Sequence, residues 1–531
     1  MGWELEDVEQ PFVAQLQGMG WVHTEGSLDT PSVTGRSSFT EVIQEGVLRE
    51  RLRAINLHSG QPWLDDERLS EAVAALTRLG TAKLMEANQK ATERLLKGIT
   101  VDGLQGWDGG RGQTIQYIDW DTPENNHFCV VNQFRVDCPP GYDSGKKFIV
   151  PDLVLLVNGI PLVVVECKSP SIPEPLVDAV DQLRRYSNQR KAAFEVEENE
   201  GNEALFASVQ LLIGSSFDEA RVGCIGAGFA HFSQWKTVVD PDGCGSEQAV
   251  AEVLGKAKLS EQERLVAGML APAQLLDLIR HFMLFMQVGG QTIKTVCRYQ
   301  QYRAVNRAIS RLKTGQTRRE HGESDQRGGI VWHTQGSGKS LTMVFLVRKM
   351  RTDVQLRRFK VIVITDRKDL QSQLSATATL SGELPEVASN IEGVKALARR
   401  QGPGLVFATI QKYRTPDQEE AEMPQQTAAA TPKAAENRAA YQANKAFEVL
   451  NTDESILVLV DEAHRTQAGD LHANLLAGLP NSARIGFTGT PIIMGDKKRT
   501  HEIFGAFIDK YTIKEAEADG ATVPVLYEGR T

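Results

Sequence analysis

Val331-Trp332-His333-Thr334-Gln335-Gly336-Ser337-Gly338-Lys339-Ser340 is the stretch on which the fold of this chain turns. It ends an apolar run that starts at Ile330 and leads into Leu341-Thr342-Met343-Val344-Phe345-Leu346, so it predicts strand, glycine loop and helix in that order. In that setting the glycines let backbone N–H groups approach phosphate oxygens at a helix N-terminus, where the peptide dipoles favour negative charge. Thr334, Gln335, Gly336, Ser337 and Gly338 form the cradle, Lys339 neutralises the β and γ phosphates of ATP, and Ser340 ligates Mg²⁺. The usual first glycine is His333 here, which loosens the pattern but keeps its Gly-Lys-Ser core. A plain structural turn is the competing interpretation, and the flanking strand and helix argue against it.

Working outward, Val361-Ile362-Val363-Ile364, Leu405-Val406-Phe407-Ala408, Ile456-Leu457-Val458-Leu459-Val460 and Ile485-Gly486-Phe487 are further apolar runs separated by helical segments. That alternation predicts an α/β fold around a parallel sheet. Val460-Asp461-Glu462-Ala463-His464 ends one of these strands. Asp461 can hold Mg²⁺ through its water shell and Glu462 can polarise the attacking water, which suits phosphoanhydride hydrolysis. A helical connector is expected from about Leu275 to Met286, and residues 419–443, rich in Ala, Gln, Pro and Glu, are expected to be an inserted linker.

Upstream the pattern differs. Ser38-Phe39-Thr40-Glu41-Val42-Ile43, opening onto Val47, Leu48, Leu52 and Ile55, predicts a capped helix; short runs from Ile115 to Val165 then predict a small sheet. Within it, Pro151-Asp152, an apolar strand, Asn158-Gly159, a second apolar strand and Glu166-Cys167-Lys168 predict a hairpin with chemistry at its open end. Glu166 and Lys168 share a strand face, so two carboxylates and an amine converge. Asp152 and Glu166 would bind Mg²⁺ while Lys168 orients or deprotonates a water. A regular two-residue turn would pair Asp152 with Val165 and send Glu166 to the other face, so an odd loop or a bulge is required. A helix follows, with Leu176, Val180 and Leu183 on one face.

Apolar residues make up 41% of the 531 and charged ones 24%, values of a soluble globular enzyme with two or three domains. No run is long enough to span a bilayer and the start lacks a targeting pattern, so a cytoplasmic protein without membrane contact is expected. The six cysteines, Cys129, Cys138, Cys167, Cys224, Cys244 and Cys297, show no zinc-ligand spacing and read as free buried thiols. A formal charge of −9 argues against general coating of DNA, but Lys294 to Arg319 carries eight bases and no acid. Arg303, Arg307 and Arg311 share one helix face, either simply solvated or contacting DNA.

The second half resembles superfamily 2 helicases and translocases from Arg298 to about Ile513. Arg298-Tyr299-Gln300-Gln301-Tyr302-Arg303-Ala304 is similar to the adenine-reading motif of that group, with Gln301 the expected reader and Gln300 the alternative. Asp461 and Glu462 resemble its DEAH box. Thr365-Asp366-Arg367 and Thr409-Ile410-Gln411 resemble motifs that touch the DNA backbone, which implies DNA-binding roles for Arg367, Thr409 and Gln411. Thr488-Gly489-Thr490-Pro491 resembles the motif that couples ATP state to DNA grip. The upstream hairpin resembles the PD-(D/E)xK nucleases, and Gln182 and Tyr186 match the QxxxY motif of their RecB-like branch.

Nuclease first and motor second is similar to the restriction (R) subunit of type I restriction-modification enzymes. The resemblance implies a RecB-like nuclease domain over residues 1–260, a RecA-like parallel α/β lobe over 261–522, and the start of a second lobe at 523–531. It also implies double-stranded DNA as substrate, methyltransferase and specificity subunits as partners, and ATP-driven translocation coupled to Mg²⁺-dependent cleavage of unmodified DNA. Because the family continues into a second lobe that supplies arginines to the ATP, a chain stopping at Thr531 is expected to be a fragment or truncated product that binds nucleotide but hydrolyses it poorly. A standalone helicase-nuclease of repair or defence, and a non-catalytic DNA-binding or assembly module, are the other readings.

Overall fold

Two sheets of different character account for the apolar runs. The computed structural model describes residues 4–79, 83–104, 111–140, 147–189, 200–365, 370–372, 374–375, 384–388, 390–409, 448–461, 475–489 and 503–522. Contacts divide the chain into one unit of Met1–Pro241 with Gly245–Tyr299 and a second of Asp242–Cys244 with Gln300–Thr531.

The first unit is built on a six-stranded mixed sheet: β1 (Val22–Glu25), β2 (Phe128–Asn132), β3 (Leu153–Val157), β4 (Ile160–Cys167), β5 (Leu211–Ser216) and β6 (Glu219–Gly223), which lie in that spatial order. β3 and β4 are fully buried, as their unbroken Leu/Val/Ile composition requires. Asn158 and Gly159 turn the chain between them at φ +53° and +78°, the left-handed conformation of a tight hairpin. Asn158 is itself buried: its amide donates to Tyr117 O and Asn126 Oδ1, and its Oδ1 accepts from the His127 N–H. A Cβ on Gly159 would stand 2.6 Å from Gln44 O. Gly159→Ala is therefore expected to cost about 1–3 kcal/mol in chemical denaturation of this unit, from strain and collision together.

Against the sheet lie α1 (Gln10–Gly18), α2 (Leu84–Lys97) and α3 (Pro175–Tyr186), and α3 buries Leu176, Ala179, Val180 and Leu183. Val180 and Leu183 join Val131, Val154, Leu156, Val164 and Leu212 in one apolar core. A hairpin of β7 (Met283–Val288) and β8 (Gln291–Val296) closes the unit. Lys294 on β8 is fully buried, donating to Asn88 Oδ1 at 2.8 Å and Gln210 Oε1 at 2.7 Å. Three hydrogens on an ammonium suit these oxygens, yet burial dominates and lowers the Lys294 pKa from 10.5 to about 7. Between those two values the unfolded chain holds the proton and the folded chain does not, so this contribution to stability grows as pH rises and is lost as pH falls toward 7. Urea titrations from about pH 7 to pH 9 should show wild-type stability rising by on the order of a few kcal/mol relative to Lys294→Met, in which that slope is absent.

The second unit contains β9 (Gly329–His333), β10 (Lys360–Thr365), β11 (Glu386–Ala388), β12 (Gly404–Thr409), β13 (Ile456–Val460), β14 (Ala483–Thr488) and β15 (Phe507–Tyr511). All pair in parallel, in the order β11-β12-β10-β13-β14-β9-β15. The helices α4 (Tyr299–Thr314) and α5 (Lys339–Thr352) belong to the same lobe. Each of the five apolar runs anticipated here is a strand, and β11 and β15 are additional.

Several local expectations need correction. The connector read as helical to Met286 is a helix only over Pro272–His281; Met283 onward is β7, because Gly289 and Gly290, at φ +58° and +79°, form a two-residue hairpin turn. The helix expected from Ser38 begins at Glu45, and near Ile115 the strand is only Gln113–Ile115. Residues 261–298, read as the start of the motor lobe, pack with the first unit: Gln15 Nε2 donates to Glu263 O and Trp21 Nε1 to Leu270 O. All six cysteines are free, but Cys244 is exposed and Cys138 only half-buried.

Candidate functional site

The juxtaposition of Asp152 and Glu166 in the first unit depends on one extra residue. Val157 pairs with Ile160 and Leu156 with Pro161, but Leu155 then pairs with Val163 and Leu153 with Val165, so Leu162 is a bulge. Pro161 has no N–H to give the ladder, and the carbonyl of Leu162 accepts from Gln210 N at 2.7 Å instead. The shifted register carries Glu166 opposite Asp152, as the sequence required of a metal site.

Asp152 and Glu166 end on neighbouring strands with Lys168. Asp152 Oδ2 accepts from the Cys167 N–H at 2.7 Å, and Lys168 Nζ donates to Glu166 Oε1 at 2.7 Å. The pair is not a surface ion pair: the Glu166 side chain is 1% exposed and that of Lys168 13%. Burial, and then the charge of Asp152, raises the Glu166 carboxyl well above the usual carboxylate range in spite of Lys168. Glu166 Oε2 is buried and receives no hydrogen bond, a costly arrangement that a cation would relieve. Mg²⁺ is commonly held by one or two carboxylates with water and phosphate oxygens, and this pair fits it. Among the described residues no group of three or more His, Cys, Asp or Glu is arranged to hold a metal, so other ligands would come from water and phosphate.

Gln182 and Tyr186 face this pair from α3. Gln182 Nε2 donates to Tyr186 Oη at 2.7 Å, and that hydroxyl donates to Val150 O at 3.2 Å, just before Pro151-Asp152. Burial, then the charge of Glu166, raises the Tyr186 pKa, so its hydroxyl stays a donor. The sequence reading missed Glu9, which precedes α1 and is 3% exposed. Its charge acts on Cys167 alongside those of Asp152 and Glu166, after burial, to push that thiol up, and Gln133 Nε2 reaches its Oε2 at 3.4 Å. No local pattern marks Glu9, since its neighbours here lie over a hundred residues away in the chain.

In the second unit the glycine loop joins β9 to α5. Gly336 and Gly338 both sit at φ +83°, and a Cβ on Gly338 would stand 2.5 Å from Gln301 Nε2. Gln301 donates to Gly338 O at 2.9 Å, which brings it onto the loop, whereas Gln300 is fully buried with both amide atoms unpartnered. Lys339 is 5% exposed and its Nζ donates to His333 O at 3.2 Å; Ser340 follows in the first turn of α5. A Cβ on Gly489 would lie 2.8 Å from that Nζ, so the end of β14 closes on the lysine. Thr334 and Ser337 are buried and Gln335 exposed. Asp461, at the end of β13, accepts from Thr365 Oγ1 at 3.3 Å. Parallel pairing thus brings Lys339, Asp461, Thr488 and Gly489 to one sheet edge, where open α/β sheets bind ligands. Glu462, Arg367, Gln411, Thr490, the side chain of Thr409, and residues 419–443 and 523–531 lie outside the described residues.

The basic face of α4 is occupied. Arg303 and Arg307 both bond Asp509 on β15, at 2.7 and 2.8 Å, and Arg311 Nη1 bonds Ala506 O at 3.0 Å. The three guanidinium groups fasten the helix to the last strand, so neither of the two sequence readings of this face, solvation or DNA contact, describes their main engagement.

Comparison with known proteins agrees with both halves. A family model described as type I restriction enzyme R protein N terminus matches residues 4–229, and one described as SWI2/SNF2 ATPase matches residues 300–531. The chain is 32% identical to the type I restriction enzyme HindI endonuclease subunit of Haemophilus influenzae, over 98% of this chain and 46% of that protein. It is 27% identical to a protein of Methanocaldococcus jannaschii provisionally named the MjaIXP endonuclease subunit of a type I restriction enzyme, again over 98% and 46%. The chain thus spans about half the length of the curated relatives it matches. A solved fragment provisionally named an HsdR subunit, from Vibrio vulnificus, aligns at 15% identity over 74% of this chain and 56% of that one, with a TM-score of 0.26, too low to speak to the fold.

Proposed function

Since the chain belongs to the family of type I restriction enzyme R subunits, we propose that it supplies both the DNA-cleaving centre and the ATP-binding lobe of such an enzyme. In this reading the first unit is a RecB-like PD-(D/E)xK nuclease and the second a RecA-like motor lobe, working in the cytoplasm with methyltransferase and specificity subunits on double-stranded DNA. The observation that carries it is the bulge at Leu162, which aligns Asp152 with Glu166 and leaves a buried, bare carboxylate oxygen beside Lys168.

Asp152 and Glu166 would hold Mg²⁺, which would supply Lewis-acid polarisation of the scissile phosphate and of the attacking water. Lys168 would orient the attacking water or take its proton, while the Gln182–Tyr186 pair fixes the strand entering Asp152. On the second unit the loop amides and Lys339 would grip the β and γ phosphates, Ser340 and Asp461 would hold the Mg²⁺ of the nucleotide, and Gln301 would read the base. Incubation of unmodified supercoiled plasmid with the assembled enzyme, ATP and Mg²⁺ tests the reading: cleavage that stops on chelation of Mg²⁺ or omission of ATP is expected, and cleavage independent of both would overturn it.

A further inference from the structure

We propose that His333 and Asp509 are positioning residues of the nucleotide site, one buried carboxylate tying the phosphate loop to the helix that carries Gln301. This rests on reading 331–340 as an ATP-binding loop. The connections form a closed ring. His333 Nε2 bonds Asp509 Oδ2 at 2.9 Å, and Asp509 accepts from Arg303 Nε at 2.7 Å. Arg303 lies two residues beyond Gln301 on α4, and Gln301 returns to the loop at Gly338 O. At the start of the loop, His333 O receives Lys339 Nζ and Thr334 N donates to Tyr511 O at 3.0 Å. A glycine at 333, the usual residue, has no side chain to reach Asp509, so here the distance from Gln301 to the phosphate grip is set through a side chain rather than by the loop backbone alone.

The charges explain why the arrangement is sensitive. Burial works to raise the Asp509 carboxyl, but hydrogen bonds from His333 and Arg303 and the charge of Arg303 hold it below the usual range, so it is ionised. An ionised carboxylate only accepts, which places the imidazole hydrogen on Nε2 and leaves Nδ1 bare; that atom is buried without a partner. The groups facing the ring are Asp509 and Tyr511 from β15, Arg303 from α4 and Lys339 from α5. Burial first, and the charges of Arg303 and Lys339 with it, hold His333 below its ordinary pKa against the pull of Asp509. A proton forced onto Nδ1 would add a positive charge beside Lys339 and disturb the loop at its root.

Calorimetric titration of the chain with Mg²⁺·ATP tests this. Asp509→Asn should weaken ATP binding at least ~10-fold at about pH 7.8. Wild-type affinity should fall severalfold more than that of His333→Gln, whose amide can still donate to Asp509 but cannot titrate, once the pH is taken below the ordinary imidazole value of 6.5; the titration of the nucleotide is common to both. Should Asp509→Asn fail to fold, the pH comparison carries the test. Binding by Asp509→Asn within about twofold of wild type, or an acid limb kept by His333→Gln, would overturn the inference while leaving the ATP site in place. No ATP binding by the wild type would overturn the site reading and this inference together.

Discussion

Lys168→Ala is expected to lower Mg²⁺-dependent DNA cleavage by the assembled enzyme at least ~10²-fold, measured as the rate of plasmid linearisation. The amine donates to Glu166 Oε1 at 2.7 Å, and in the proposed mechanism it orients the attacking water. Removing one member of a buried pair commonly costs about 3–5 kcal/mol, because the remaining charge is stranded. Glu166 has an escape, since its carboxyl is already pushed well above the usual range by burial and takes up a proton easily once Lys168 is gone. The fold should therefore survive with a modest fall in melting temperature, and a cleavage rate near wild type in a folded Lys168→Ala protein would remove Lys168 from the chemistry.

The second large effect is expected at the phosphate loop. Lys339→Ala should weaken ATP binding on the order of 10²-fold, since losing one partner of a buried charge pair costs roughly 2–5 kcal/mol of binding. Stability should change less than affinity, since the His333 carbonyl that accepts from the ammonium at 3.2 Å carries no charge to be stranded. Calorimetry and urea titration on the same sample separate the two, and unchanged affinity would place the phosphates elsewhere.

Much of this was readable before any coordinates. Five buried strands of the second unit announce themselves as runs of Val, Ile and Leu, because a parallel sheet covered on both faces needs apolar residues at every position. The bulge was demanded by chemistry rather than by propensity: only a register shift could put Asp152 and Glu166 on one face, and Leu162 supplies it. What escaped were features fixed by distant partners. β15, Phe507-Ile508-Asp509-Lys510-Tyr511, carries two charges and reads poorly as a buried strand, yet Asp509 is 2% exposed because Arg303, Arg307 and His333 surround it. For the same reason the basic face of α4 could not be told from a solvated or DNA-contacting one. Met283-Leu284-Phe285-Met286 suits either period, and Gly289-Gly290 is the signal that makes it strand β7 rather than helix. Glu9 comes near Cys167, beside the proposed metal site, through tertiary structure alone.

The most direct test of the proposed metal site is a crystal of the protein grown with Mn²⁺ in place of Mg²⁺ and measured at the manganese absorption edge. An anomalous peak within roughly 2.0–2.3 Å of carboxylate oxygens of both Asp152 and Glu166, absent in Glu166→Gln, is the expected result. Well-ordered side chains of both residues with no peak between them, at saturating Mn²⁺, would contradict the account.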